Sequence, residues 1–482
     1  MTKEEELQAL REENRTLKAL VAELLPLKEQ VIQANARIKE LEDRLAQNSR
    51  TSSKPPSSDG LGRLPRSSRR PSAKRPGGQA GHPGHTLAMV EQPDEVVRHR
   101  PKVCSQCHEE LSGVPGTIAE RRQVLDVPEI RLRAQEHQIE VICCPTCRTL
   151  SSGSFPAAVT APVQYGPHLQ ALAVYLHQGQ LLPTARTCEA LAAICGCQIA
   201  EATLLQWSEV AAERLAPTVE RIAELIGISR LQHGDETGIR VYGMLHWLHV
   251  NCTRFLTHLA WHRARGRAAM DEIGIWPRFA GRGMHDRLAS YDGYDCAHSI
   301  CGAHLVRDCA GVAQQEHQEW AAEMQDFLLD LHDACQQWRL RQRTCVPTSE
   351  RDDWVARYFE ILAAGYAAQP PPPTPSAQKR KGRRKQSKAK NLLDALLGRA
   401  DQVLALLDDL RIPFTNNQAE RDLRWAKVQQ KISGTFRSAT GVTAFCRIRS
   451  YLSTMHKQGH PMLSALTAVF HGHPFPVAWA PE

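Results

Sequence analysis

No run of 18 apolar residues occurs in this 482-residue chain, so no membrane-spanning helix is expected. The start, Met1-Thr2-Lys3-Glu4-Glu5-Glu6, lacks the basic and apolar regions of a secretory signal. An even, paired set of cysteines is also missing: there are 15, several of them isolated in apolar segments. That usage suits a reducing cytoplasm, where close Cys pairs hold metal more often than they form disulfides. A large excess of one charge is absent too. The net charge of +8 is modest for the length. Its clustering therefore matters more than its sum, because local basic patches create the field that holds nucleic acid. Apolar content of 42% is enough for several cores, and the length calls for several domains.

Residues 1–48 read as a coiled coil. Leu10, Leu17, Leu24, Val31, Ile38 and Leu45 recur every seventh residue, the repeat of a left-handed supercoil seam. Asn14 and Asn35 in that seam favour an in-register pair of helices, hence a homodimer or higher assembly. Pro26 is expected to kink the helix. Residues 49–98 are rich in Ser, Pro, Gly and Arg and read as a disordered basic linker. Residues 99–150 carry Cys104-x-x-Cys107 and Cys144-x-x-Cys147, with an alternating stretch from Arg121 to Ile142 between them. Two such knuckles joined by a hairpin describe a ribbon holding Zn²⁺ through four thiolates, with Cys143 as a substitute ligand. Residues 160–225 look helical, and the turn at Gly196 followed by a second helix also fits a helix-turn-helix that contacts DNA.

From residue 226 to 310 the pattern turns to strands. Arg230–Glu236, Leu245–Asn251 and Phe255–Trp261 form a meander, followed by a helix over Arg267–Ile273. Short strands then end at Asp286 and at Cys301, before a helix near Gly302. This is the element order of the ribonuclease-H-like α/β fold, with Asp235 on its first strand. Residues 311–411 read as helical stretches that flank Pro370–Pro373 and the basic run Lys379–Lys385, expected as a loop on DNA phosphates. Residues 412–482 complete the core with a helix bearing Glu420, then one whose Phe445, Ile448, Tyr451, Leu452 and Met455 face inward.

Several segments, taken together, resemble the insertion-sequence-66 family of DDE transposases. They are Ser52-Ser53-Lys54-Pro55-Pro56-Ser57-Ser58-Asp59, Gly77-Gly78-Gln79-Ala80-Gly81-His82-Pro83-Gly84-His85, the paired Cys-x-x-Cys and His233-Gly234-Asp235-Glu236-Thr237. Cys301-Gly302-Ala303-His304, Asn416-Asn417-Gln418-Ala419-Glu420-Arg421 and Lys431-Ile432-Ser433-Gly434-Thr435-Phe436-Arg437-Ser438 continue the match. The resemblance implies a helical insertion over residues 311–411, before the helix that bears Glu420, and a catalytic, metal-binding triad of Asp235, a second Asp and Glu420. For the second, Asp286 is preferred, because it ends a strand and is followed five residues on by Tyr291, as in the family. Asp292 is the alternative, since Asp-Gly-Tyr also occurs there in the family. The resemblance further implies action on element ends and target DNA, companion proteins of the same element, and a bacterial cytoplasm, on the nucleoid when bound to DNA.

The residue types suit that chemistry. A phosphodiester is negative where the nucleophile must attack, and Mg²⁺ (or Mn²⁺) held by a few carboxylates activates the attacking oxygen and stabilises the leaving one. Arg421, Arg424, Lys427, Lys431 and Arg437 after Glu420 are candidate DNA-phosphate contacts. Glu236, next to Asp235 on a strand, is expected on the opposite face as a supporting carboxylate. Cys301 and His304 are expected to support the site without binding metal, and His233, His246 and His249 to be structural. A non-catalytic DNA-binding relic and a metal-dependent nuclease without strand transfer are the competing readings.

Overall fold

The computed structural model describes residues 3–46, 77, 86–369 and 386–479. Most of the expected linker, Pro370–Pro373 and the Lys379–Lys385 run lie outside the described residues. The N-terminal repeat is one helix, α1 (Lys3–Ala46), which passes through Pro26 without ending. Along its seam Leu10, Leu17, Leu24, Val31 and Ile38 are 52–57% exposed in the single chain.

The chain divides into two compact units. The smaller holds the two Cys knuckles. Its strand pairing differs from expectation. Residues 115–140 contain no helix or strand, and the ladder is Val141–Cys143 (β1) against Leu150–Ser152 (β2), flanking the second knuckle. The first knuckle has the matching bridge, Val103 to Glu110. Each turn thus pairs its own flanks, and the stretch around Pro128, which has no amide donor at that position, joins them without a ladder.

In the larger unit, α2 (Pro167–Val174) continues through a π-turn at Tyr175–Gly179. Then follow α3 (Thr184–Cys195), whose residues from Ala190 on belong to the smaller unit, and α4 (Glu201–Gly227). The second helix of the suggested helix-turn-helix is therefore 27 residues long, and it buries Leu204, Ala211, Leu215, Ile222 and Ile226 in the core.

The central sheet comprises β3 (Leu231–Val241), β4 (Met244–Cys252), β5 (Thr257–His262), β6 (Arg282–His285) and β7 (Ala297–Ile300), with α5 (Arg267–Ile273) between β5 and β6. Its order is β5-β4-β3-β6-β7. β3, β4 and β5 are antiparallel, whereas β6 and β7 run parallel to β3. β3 is longer than the sequence pattern indicates because pairing with β4 runs on to a two-residue turn. Tyr242 (φ +52°) and Gly243 (φ +76°) are both left-handed there, as such hairpins require. The protein is a mixed α/β structure.

The insertion is a helical layer: α6 (Gly302–Glu316), α7 (Glu319–Leu340), α8 (Thr348–Ala367), α9 (Lys388–Gly398) and α10 (Ala400–Asp408). Trp320, Met324, Phe327, Leu331, Tyr358 and Leu393 form its core. The chain ends with α11 (Asn417–Ser433), α12 (Ala439–Lys457) and α13 (Met462–Phe470). Ala419, Leu423 and Ala426 of α11 and Phe445 of α12 pack on Ile239, Leu248, Val250 and Leu259 of the sheet. All five residues expected to face inward on α12 are buried.

Gly234 in β3 has a steric reason. A Cβ there would lie 2.6 Å from Trp276 Cζ2 and 3.2 Å from Tyr291 Oη. The same indole closes on Gly283 in β6, where a Cβ would be 2.5 Å away. Gly234→Ala is expected to cost about 1–3 kcal/mol through overpacking. A urea midpoint equal to wild type would show that the ring gives way freely.

Candidate active site

The sheet forks where the sequence places its carboxylates. β6 pairs with β3 only over Leu231–His233 and then continues with β7 as far as His285 and Ile300. Asp235 lies two residues beyond the last β3–β6 pair, and Asp286 follows the end of β6. Carboxylate oxygens of Asp235, Glu236 and Asp286 lie within 4.8 Å of one another. Glu236 therefore reaches the same cluster despite strand alternation.

Both Glu236 oxygens are held. Arg265 Nε donates to one at 2.8 Å and the Tyr291 hydroxyl to the other at 2.8 Å. Arg265 also lies 3.8 Å from Asp286 and over the Trp247 ring at 4.9 Å. Burial pushes Asp235 well above the usual carboxylate range, and the charges of Glu236, Asp286 and Glu420 push the same way. A hydrogen bond from the Glu236 amide, 2.8 Å, partly offsets this. Burial first, then Asp286, raises Glu236, against Tyr291 and Arg265. Tyr291 is held well above the ordinary phenol range, by burial and then by Glu236, so it stays a neutral donor. Clustered carboxylates short of cationic compensation are what a hard, oxygen-seeking divalent cation neutralises, so these residues fit such an ion.

Asp292 is placed elsewhere. It sits in the 3₁₀ turn Tyr291–Gly293 and is paired with Arg399. Glu420 lies in the first turn of α11. It does not join the carboxylate cluster. It lies within 4.8 Å of ligand atoms of Cys301 and His304, with Arg307 Nη2 3.9 Å away. Burial raises the Cys301 thiol to about 11 and lowers His304 to about 4, so both are neutral near pH 7.

Two residues given no role in the sequence position these groups. Asn416 is buried and donates from Nδ2 to the Gly234 carbonyl at 2.8 Å, while His233 Nδ1 donates to its Oδ1 at 2.8 Å. Its amide reaches Cys301 Sγ at 3.2 Å. One side chain thus ties the start of the Glu420 helix to β3 beside Asp235. The pairing spans 183 positions of sequence, so no local pattern reveals it.

Arg421, Arg424, Lys427, Lys431 and Arg437 are all exposed. On the opposite side of α11, Asp422 is buried against Lys457 at 2.8 Å and Thr257 at 2.9 Å, which turns the basic face outward.

The two Cys knuckles share one backbone design. The amides of Cys104 and Cys144 donate to the carbonyls of Glu109 and Thr149. The amides of His108 and Arg148 donate back to Cys104 and Cys144, and both residues are left-handed. Hydrogen bonds from Thr149, and then from Cys144, lower Cys147 to about 7. Contacts with Cys107 and Gln106 lower Cys104. Among the described residues, no group of three or more ligand atoms within 4.8 Å of one another unites the two pairs. No helix among them is long and apolar enough to cross a membrane.

A family model described as "Transposase IS66 family" matches residues 162–444, from just before α2 into α12. A second, a family of unknown function (DUF6444), matches residues 2–88. No curated protein matches the chain.

Proposed function

The chain belongs to the IS66 family of transposases, and from that premise we propose that it binds the ends of its element, hydrolyses DNA there and joins the freed 3′-OH to target DNA. The observation that carries this reading is the meeting of Asp235 and Asp286 at the fork of the sheet, in a setting that raises Asp235. The order β5-β4-β3-β6-β7, with β6 and β7 parallel to β3, supports a ribonuclease-H-like core. Asp235 and Asp286 would hold Mg²⁺ or Mn²⁺, with Glu420, which stands apart from their cluster beside Cys301 and His304, as the third acid of the family triad. When bound, the metal supplies Lewis-acid activation of the attacking oxygen and charge stabilisation at the leaving one.

The protein's own groups do the rest. Arg265 and Tyr291 hold both oxygens of Glu236 in place beside Asp235 and Asp286. Asn416 and His233 hold the start of α11 against β3. Arg421, Arg424, Lys427, Lys431 and Arg437 supply a basic face that attracts DNA phosphates and sets the strand's register. Away from this core, Cys104, Cys107, Cys144 and Cys147 would share one Zn²⁺, as their matching turns and the lowered thiols of Cys104 and Cys147 support. A helix-turn-helix contact by α3 and α4 would add to DNA binding. The exposed apolar seam of α1 would pair with a second copy, giving the homodimer.

The test is cleavage of labelled element-end DNA with Mg²⁺ and, separately, Ca²⁺. Wild type should nick with Mg²⁺ and bind without nicking with Ca²⁺, whose looser coordination is poorly suited to this chemistry. Asp235→Ala and Glu420→Ala should lose both nicking and joining while still binding DNA. Cleavage retained in either variant would remove the assignment.

A further inference from the structure

Beside Asp286 the surface opens into a cavity of about 310 Å³ lined by Arg265, Asp286, Arg287, Leu288 and Arg399. Three guanidiniums thus share one opening with one carboxylate. They come from separate parts of the chain: Arg265 follows β5, Arg287 follows Asp286, and Arg399 joins α9 to α10. The helical insertion therefore contributes an arginine to the rim of the candidate active site.

Each arginine has an acidic partner: Glu236 for Arg265, Asp308 for Arg287 and Asp292 for Arg399. These partners do not exhaust the donors, since a guanidinium carries five N–H groups. Arg287 Nε is buried with no hydrogen-bond partner among the described residues. Arg287 also has φ +77°, a left-handed backbone that a non-glycine residue adopts at a cost. Arg287 follows Asp286 directly in the chain, and both line the cavity. A planar fork of N–H donors matches phosphate oxygens, and several forks around one opening give a bidentate site for one phosphate.

We propose that this cavity is a phosphate subsite, which takes a DNA backbone phosphate flanking the one to be cut at Asp235 and Asp286. It rests on the reading of the fork as a DNA-cutting site. Asp292 acts here as the counter-ion of Arg399, which the incoming phosphate displaces. The cavity then sets the position of the strand along the fork, and the insertion takes part in that positioning through Arg399.

The experiment measures binding of labelled duplex DNA by the full chain in Ca²⁺, by fluorescence anisotropy across a salt series. Arg399→Ala should weaken binding and reduce the slope of log K against log salt by about one, the loss of a single phosphate contact. Asp292→Asn should do the opposite and tighten binding, because Arg399 no longer has a competing acid. In the Arg399→Ala background, Asp292→Asn should have no effect. Arg399→Lys should restore the slope. An unchanged slope in Arg399→Ala, or weaker binding in Asp292→Asn, overturns the subsite. Nicking by wild type in Mg²⁺ is scored alongside. Nicking with unmoved slopes removes the subsite alone. Moved slopes without nicking keep the phosphate site and remove the DNA-cutting reading.

Discussion

Asp286→Ala is expected to abolish Mg²⁺-dependent nicking of element-end DNA, and Asp292→Ala to retain it. The two acids are six positions apart and both precede a family-like Tyr, yet their surroundings differ. Asp286 follows a sheet strand and places an oxygen within 4.8 Å of Asp235 and Glu236, while its other contacts keep it in place: the Leu288 amide donates to Oδ1 at 3.0 Å. Asp292 belongs to a turn and is neutralised by Arg399. Charge stabilisation by a bound metal is worth several kcal/mol, and each ~1.4 kcal/mol is tenfold in rate. Loss of Asp286 should therefore lower the nicking rate by about three orders of magnitude or more. Loss of Asp292 should change it by about tenfold at most, through DNA positioning alone. Single-turnover nicking of both variants decides the matter; the reverse pattern would make Asp292 the second aspartate.

Folding stability is expected to fall as pH drops through the window from 6.5 towards 4. Burial holds His233, His249, His258 and His304 at about 4 and His285 at about 3, each below the ordinary 6.5. The sign follows from proton uptake. Below 6.5 the unfolded chain protonates these rings and the folded chain does not, so acid favours unfolding. The stabilisation is complete above 6.5 and is lost as pH falls towards the folded values. Each such ring contributes a slope of about 1.4 kcal/mol per pH unit within the window. The raised carboxyls of Asp235, Glu236 and Asp308 oppose this, because each binds its proton more tightly in the folded chain than in the unfolded one. Five rings against three acids leave the histidines ahead. Urea unfolding across the window checks this, and His258→Gln, at a ring buried away from the carboxylates, should flatten the slope by about one proton. A midpoint independent of pH would contradict the buried neutral rings.

Much of the architecture was legible in residue order. The α5 bounds, Arg267–Ile273, agree with the pattern because a seven-residue helix between turn signals carries its own punctuation. The inward face of α12 was readable for the same reason: helical periodicity reports which side is apolar. The expected hairpin between the Cys pairs did not form, because alternation alone does not say which strand will find a partner. β3 outran its sequence signal because pairing with β4 carried it past Gly238.

By itself the sequence determined the α/β order, the family, the two Cys knuckles and the identity of Asp235 and Glu420 as the acids to watch. The element order and the knuckles rest on local spacing, which short-range backbone geometry turns directly into strands, turns and helix starts; the family and the two acids rest on the resemblance of whole motifs. Only the tertiary structure decided that Asp286 rather than Asp292 meets Asp235, that Glu236 joins them, that Asn416 ties α11 to β3, and that Arg399 reaches the rim from the insertion. Those outcomes depend on where β6 stops pairing and how far a side chain reaches. Both are settled by contacts between residues distant in the chain, and no local pattern encodes them.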